Sequence, residues 1–170
     1  MMKLDFIPVK MRLPLKFGAE TIDSIQIAHV EYPAYGAVGR GETPLSVAWA
    51  WPSTLSFALR EKLMCKFCEV LAEAYPAPEL DPMTEGYTFL TQKLDALLEK
   101  FNADNSCDMP HLAALICYSA FDIALHDAFG IANDIPTYRT YNSKFMEHDL
   151  EYFFNDEKFK NIIALFSCAF

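Results

Sequence analysis

Between Leu112 and Ala132 the chain is apolar almost without a break, over about the length of a membrane span. Three residues decide how that stretch is read. Asp122, His126 and Asp127 lie inside it and are costly in lipid, so it reads as a helix buried in a protein core. Pro110 suits the first turn of such a helix, and Gly130 suits its C-terminal end.

The first forty residues have a different period. Ile7, Val9, Met11 and Leu13 alternate with Pro8, Lys10 and Arg12, which predicts a strand over Leu4 to Leu13. Pro8 has no N–H, so this strand belongs at a sheet edge or carries an irregularity. Phe17 to Glu20 reads as a loop. Ile22 to Tyr32 is rich in β-branched residues and reads as a second strand, followed by a turn over Pro33 to Gly36. Ala37 to Glu42 is a short third strand whose Gly39 and Gly41 mark a close approach of backbone or partner. Strands in sequence with short connections predict an antiparallel meander.

Helical spacing takes over next. Thr43 to Pro52 reads as a long loop holding Trp49 and Trp51. Ser53 or Thr54 caps a helix whose apolar stripe is Leu55, Leu59, Leu63, Val70 and Ala74, ended by Pro76 and Pro78. A connector spans Pro76 to Gly86. A second helix runs from Thr88 to Phe101 with Leu90, Leu94, Leu97, Leu98 and Phe101 on one stripe. The fold class is therefore α+β, a three-stranded antiparallel meander followed by a bundle of about three helices. Asp149 to Phe154 is a weaker helical segment, and Asn161 to Phe170 is a mostly apolar run.

Charge excludes some functions. With 14 Lys and Arg against 23 Asp and Glu, the net charge of −9 gives no footprint for nucleic acid and no polybasic membrane patch. Cys65, Cys68, Cys107, Cys117 and Cys168 are odd in number and follow no signal peptide, which fits reduced thiols and a cytoplasmic location. The 52% apolar content fits either a well-packed core or a surface that docks on something else.

The residues offer few catalytic groupings. Cys65-x-x-Cys68 lies inside a helix with no second Cys/His pair at metal spacing, so core packing is its reading. Ser119, Asp122 and His126 have the letters of a catalytic triad. Spaced by three and four, they form one stripe of one helix, with no free backbone N–H groups for an oxyanion. A contact between Asp122 and His126 within the helix fits better. No metal site and no catalytic residue emerges.

Two segments resemble the enolase superfamily in its mandelate racemase and muconate lactonizing branch. Val38-Gly39-Arg40-Gly41-Glu42-Thr43-Pro44 is similar to the third strand of that family's N-terminal capping domain, G-x-V-G-W-G-E. Phe121-Asp122-Ile123-Ala124-Leu125-His126-Asp127-Ala128-Phe129-Gly130, with Ile135-Pro136-Thr137-Tyr138, is similar to its A-x-D-x-A-L-W-D-x-x-G-K … P-x-Y passage. Arg40 stands where an aromatic is usual and His126 where Trp is usual.

The resemblance covers roughly Lys3 to Asn142. It implies a capping domain over residues 1–142, with residues 143–170 a truncated or aberrant tail in place of the catalytic barrel. In the family the barrel holds Mg²⁺ and the groups that remove a proton α to a carboxylate, in racemases, epimerases, dehydratases and cycloisomerases. No cofactor is expected in this chain, and Mg²⁺ only in a full-length relative. Lys158 and Lys160 mimic the family's Lys-x-Lys pair, but they follow Asn142 by only 16 and 18 residues and read as solvated charges.

Two cap loops close over the substrate in the family. Here they match Phe17 to Thr21, with Phe17, Gly18 and Thr21 as candidate substrate contacts, and Pro44 to Ser53, with Trp49 and Trp51. Phe17, Trp49 and Trp51 are candidate apolar walls for a substrate, with the alternative that one or both Trp residues pack beneath the loop. The implied partners are a barrel domain or a second copy through an apolar face, and a small carboxylate once a barrel is supplied. The rival function is a stand-alone interaction module, or a truncated gene product, derived from such a cap.

Overall fold

The computed structural model describes residues 1–18 and 20–163. The final run from residue 164, with Cys168, lies outside the described residues. Strands β1 (Lys3–Phe17), β2 (Glu20–Ala34) and β3 (Ala37–Pro44) form an antiparallel sheet in the order β1-β2-β3. Helices α1 (Val47–Ala50), α2 (Phe57–Ala74), α3 (Pro82–Gln92), α4 (Leu94–Asn105), α5 (His111–Ala132) and α6 (Leu150–Phe154) follow. The α+β meander-and-helices architecture is therefore the one expected from the sequence.

The apolar stretch is α5, which lies across the sheet with Ala113, Ala114, Cys117, Ala120, Phe121, Ala124, Leu125 and Ala128 buried. It is long and apolar enough to cross a membrane by length and composition, and its apolar side chains here build the core. Gly39 and Gly41 let it approach β3. A Cβ on Gly39 would stand 2.0 Å from the Ala124 carbonyl oxygen, and one on Gly41 would stand 1.9 Å from that of Ala120. Only glycine fits under backbone at those distances. The Asp127 carboxylate then accepts the Arg40 N–H at 2.9 Å, satisfying a donor on the outer edge of β3.

Several boundaries differ from expectation. The first two strands run longer than the sequence pattern indicated, and their connection is a tight turn at Gly18 rather than a loop. Between the Lys10↔Ser24 and Leu15↔Ile22 pairs, β1 has four residues and β2 one, a wide bulge containing Pro14, which cannot donate to the ladder. The 43–52 loop contains the helical turn α1. Ser56, rather than Ser53 or Thr54, caps α2, its Oγ accepting the Leu59 N–H at 3.4 Å. The deeply buried face of α2 is Arg60, Met64, Phe67, Cys68 and Leu71; the Leu63–Val70–Ala74 stripe flanks it, and Leu59 is exposed.

The 76–86 connector is shorter than expected because Asp81 starts α3 early. Its carboxylate accepts the Met83 and Thr84 N–H groups at 3.0 and 3.2 Å, and Pro82 opens the helix. The single helix expected over 88–101 is two, broken at Lys93. Beyond Asn142, Met146 and Leu150 are buried and Phe153 meets Tyr87 edge-to-face.

Candidate functional site

The hairpin of β1 and β2 extends past the end of β3 and faces α1. Gly18 turns it at φ +59°, a conformation that costs glycine little. The bulge that precedes the turn re-aims β1, so Met11 and Leu15 enter one pocket while Leu13, between them, stays exposed. Across from them, β3 hands over to α1 through Leu45, whose N–H still bonds the Gln26 carbonyl at 2.9 Å.

The result is a pocket of about 250 Å³ lined by Met11, Leu15, Phe17, Ile22, Ile25, Ser46, Val47, Ala48, Trp49 and Phe57. Phe17 is 45% exposed and Trp49 58% exposed, so both present apolar surface to the opening. These two residues come from the two segments that the sequence singled out, and the fold brings them to one cavity.

Trp51 is not part of it. It is 1% exposed, its indole N–H donates to Asp108 Oδ1 at 3.2 Å, and it packs in the core beneath α1. Alternate positions around a short helical turn point in different directions, and here one Trp goes out and the other in. Thr21 is exposed beside the turn and does not line the cavity.

A buried cation joins the two walls. Arg60, on α2, is 1% exposed, and its guanidinium donates to the Trp51 carbonyl and to the Glu20 carboxylate. Glu20 opens β2 just past the turn, so one side chain ties the hairpin tip to the end of α1. Arg60 Nε has no hydrogen-bond partner among the described residues. At the sequence level Met11, Leu15 and Arg60 had no site role, and Glu20 stood in the first loop without a partner. A lone Arg among apolar residues at helical spacing was the available signal for Arg60.

The other candidates fall apart on geometry. Ser119 Oγ donates to the Ile116 carbonyl at 2.8 Å and lies 3.0 Å from the Thr43 hydroxyl, which can donate to it, away from the imidazole. Asp122 Oδ1 accepts the Tyr118 hydroxyl at 3.0 Å and lies 4.0 Å from His126 Nε2; Tyr141 Oη lies 3.0 Å from His126 Nδ1. Burial pulls the His126 pKa down, with Asp122 and Asp81 opposing it. Burial, with Cys68 next to it, pushes the Cys65 thiol up to about 12, the reverse of an activated thiol. Cys117 is likewise pushed up by burial, and among the described residues Cys65, Cys68, Cys107 and Cys117 form no disulfide with one another. Lys158 and Lys160 sit at a 3-10 turn, paired with Asp156 at 2.6 Å and Glu151 at 4.0 Å, and lie on no strand. Among the described residues, no three or more His, Cys, Asp or Glu side chains converge as a metal site.

No family model matches this chain. No curated protein matches it. Among solved structures it is similar to the substrate-liganded complex of the L-Ala-D/L-Glu epimerase from Bacillus subtilis, at 20% identity and a TM-score of 0.46. That likeness covers 84% of this chain and 33% of the epimerase, so the chain spans about a third of that protein's length. So loose a superposition carries neither fold nor activity across. The class defined here by the strands, helices and pocket is an α+β domain with an apolar cleft at one end.

Proposed function

We propose that this chain is the substrate-capping domain of an enolase-superfamily enzyme, one that works with a catalytic barrel. The two motifs around Gly41 and Asp127 support that reading, and a single observation carries it. Phe17 and Trp49, 32 residues apart in sequence, wall one apolar pocket at the end of the sheet. Such concave, mostly apolar surfaces with a few polar groups are what specificity sites use.

The family's metal centre does not fit the residues present, since no metal-ligating group converges among the described residues. No step of proton transfer is therefore assigned to this chain's side chains. Its contribution is to wall off the non-reacting part of a carboxylate substrate and to exclude water from it. The purified chain with Mg²⁺ is expected to catalyse no α-proton exchange on a panel of carboxylic acids; clear exchange would contradict the proposal.

A chimera gives the positive test. Residues 1–142 joined to a family barrel should restore exchange on some carboxylate, and Phe17→Ala or Trp49→Ala in that chimera should change which carboxylate is preferred. A chimera that turns over substrate with no response to either substitution would remove the capping role from these residues.

A further inference from the structure

We infer that the pocket between the hairpin tip and α1 selects an uncharged hydrocarbon group, aliphatic or aromatic, on a small carboxylate whose charged end remains outside. This rests on the capping reading above and adds the chemistry of what is capped. The lining supplies the first argument. Met11, Leu15, Phe17, Trp49 and Phe57 present hydrocarbon; among the described residues Ser46 is the one polar side chain of the lining, and no charged side chain lines the cavity. A carboxylate or ammonium placed there would lose its hydration with nothing to replace it.

The nearby cation does not change this. Arg60 spends its terminal nitrogens on the Trp51 carbonyl and on Glu20, which neutralises it. An acidic ligand group would have to displace that carboxylate and enter a site that is already paired.

Size supplies the second argument. About 250 Å³ exceeds the ~150 Å³ that holds one benzene ring, yet falls short of the ~300–1,000 Å³ of sites that engulf a whole drug-sized ligand. One ring or a branched chain fits, and the remainder of the molecule projects through the opening between Phe17 and Trp49. The pocket therefore reads one end of a substrate and leaves the carboxylate to whatever faces it.

The test uses the full chain with 4-phenylbutyrate, hexanoate and glutarate, followed by Trp49 fluorescence and by amide chemical shifts. The first two should perturb the residues of this pocket, with dissociation constants about tenfold or more below that of glutarate. Trp49→Ala, at an exposed position, should weaken 4-phenylbutyrate binding by a similar factor, with the fold checked by its unchanged far-ultraviolet spectrum. Leu15→Arg should reverse the order, favouring glutarate. Glutarate binding as tightly as 4-phenylbutyrate, shifts confined to another surface, or no binding of either hydrocarbon acid would overturn the inference. The outcome is separable from that of the capping reading. A chimera that responds to Phe17 and Trp49 but prefers dicarboxylates would sink this inference alone, whereas pocket binding in the chain with no response in the chimera would sink the capping role.

Discussion

Arg60 shows how much depends on one side chain. Its charge is fully buried, and Glu20, 40 residues earlier, is what makes that tolerable. The two partners differ in exposure, so their removal should differ in cost. Glu20→Ala strands a buried cation and should cost about 3 kcal/mol, the low end for a broken buried pair because Glu20 is partly exposed. Arg60→Met removes the charge itself, leaves Glu20 able to hydrate, and should cost about 1–2 kcal/mol, chiefly for the orphaned Trp51 carbonyl. Urea denaturation of both single variants and the double variant checks this, with the double variant expected to be more stable than Glu20→Ala alone. His126 gives a pH signature. Burial lowers its folded pKa below the ordinary 6.5, against the pull of Asp122 and Asp81. Below 6.5 the unfolded chain then binds more protons, so stability is complete above that pH and falls as acid approaches the folded pKa. Urea midpoints between pH 7.5 and 5.5 should decline, and His126→Gln should flatten that slope.

Among the elements, the contact of α5 with β3 is the one that tolerates least. Each glycine position meets backbone rather than a movable side chain, so Gly41→Ala must push the helix off the sheet. The expected loss is about 3 kcal/mol or more, at or above the usual range for overpacking, and thermal unfolding would measure it. Gly18→Ala at the hairpin turn meets no neighbour but keeps φ at +59°, so it should cost only about 1 kcal/mol. This contact was legible in the sequence, because two glycines in a short strand already imply close approach. The start of α5 was legible through Pro110, while its end lies two residues past Gly130; Pro8 left an edge or an irregularity open for β1, and β1 is an edge strand. The bulge was not legible, since Met11 and Leu13 continue an even alternation; Pro14 permits an irregularity there, but neither strand's own pattern reveals that β2 has one residue where β1 has four. The buried face of α2 was hidden for a related reason: Leu59 looks more apolar than Arg60, and only the distant Glu20 reverses their order. For the candidate site, the aromatic residues could be read from sequence, but which Trp faces outward depends on a helical turn that four residues do not announce.

For the whole molecule, stability should decrease from α5 outward to the hairpin. Ala28, Val30 and Tyr32 are buried in the three-stranded part of the sheet, while Leu15, Phe17 and Thr21 sit where only two strands pair. Amide hydrogen exchange should therefore reach Leu15 to Phe17 and Thr21 to Ser24 before Ala28 to Tyr32, and Glu20→Ala should widen the interval. The unequal strand lengths have a mechanical consequence. β3 pairs with β2 only from Ile27 onward, which leaves the seven residues Glu20 to Gln26 in a ribbon about 23 Å long. Such a ribbon is a cantilever. A rotation of about 5° at its root, near the Pro8↔Gln26 pair, carries Phe17 about 2 Å toward or away from Trp49. The gap between Phe17 and Trp49 is thereby set at the base of the pocket, beside Ile25, as the jaws of callipers are set at their pivot, and the Arg60–Glu20 pair acts as the locking screw.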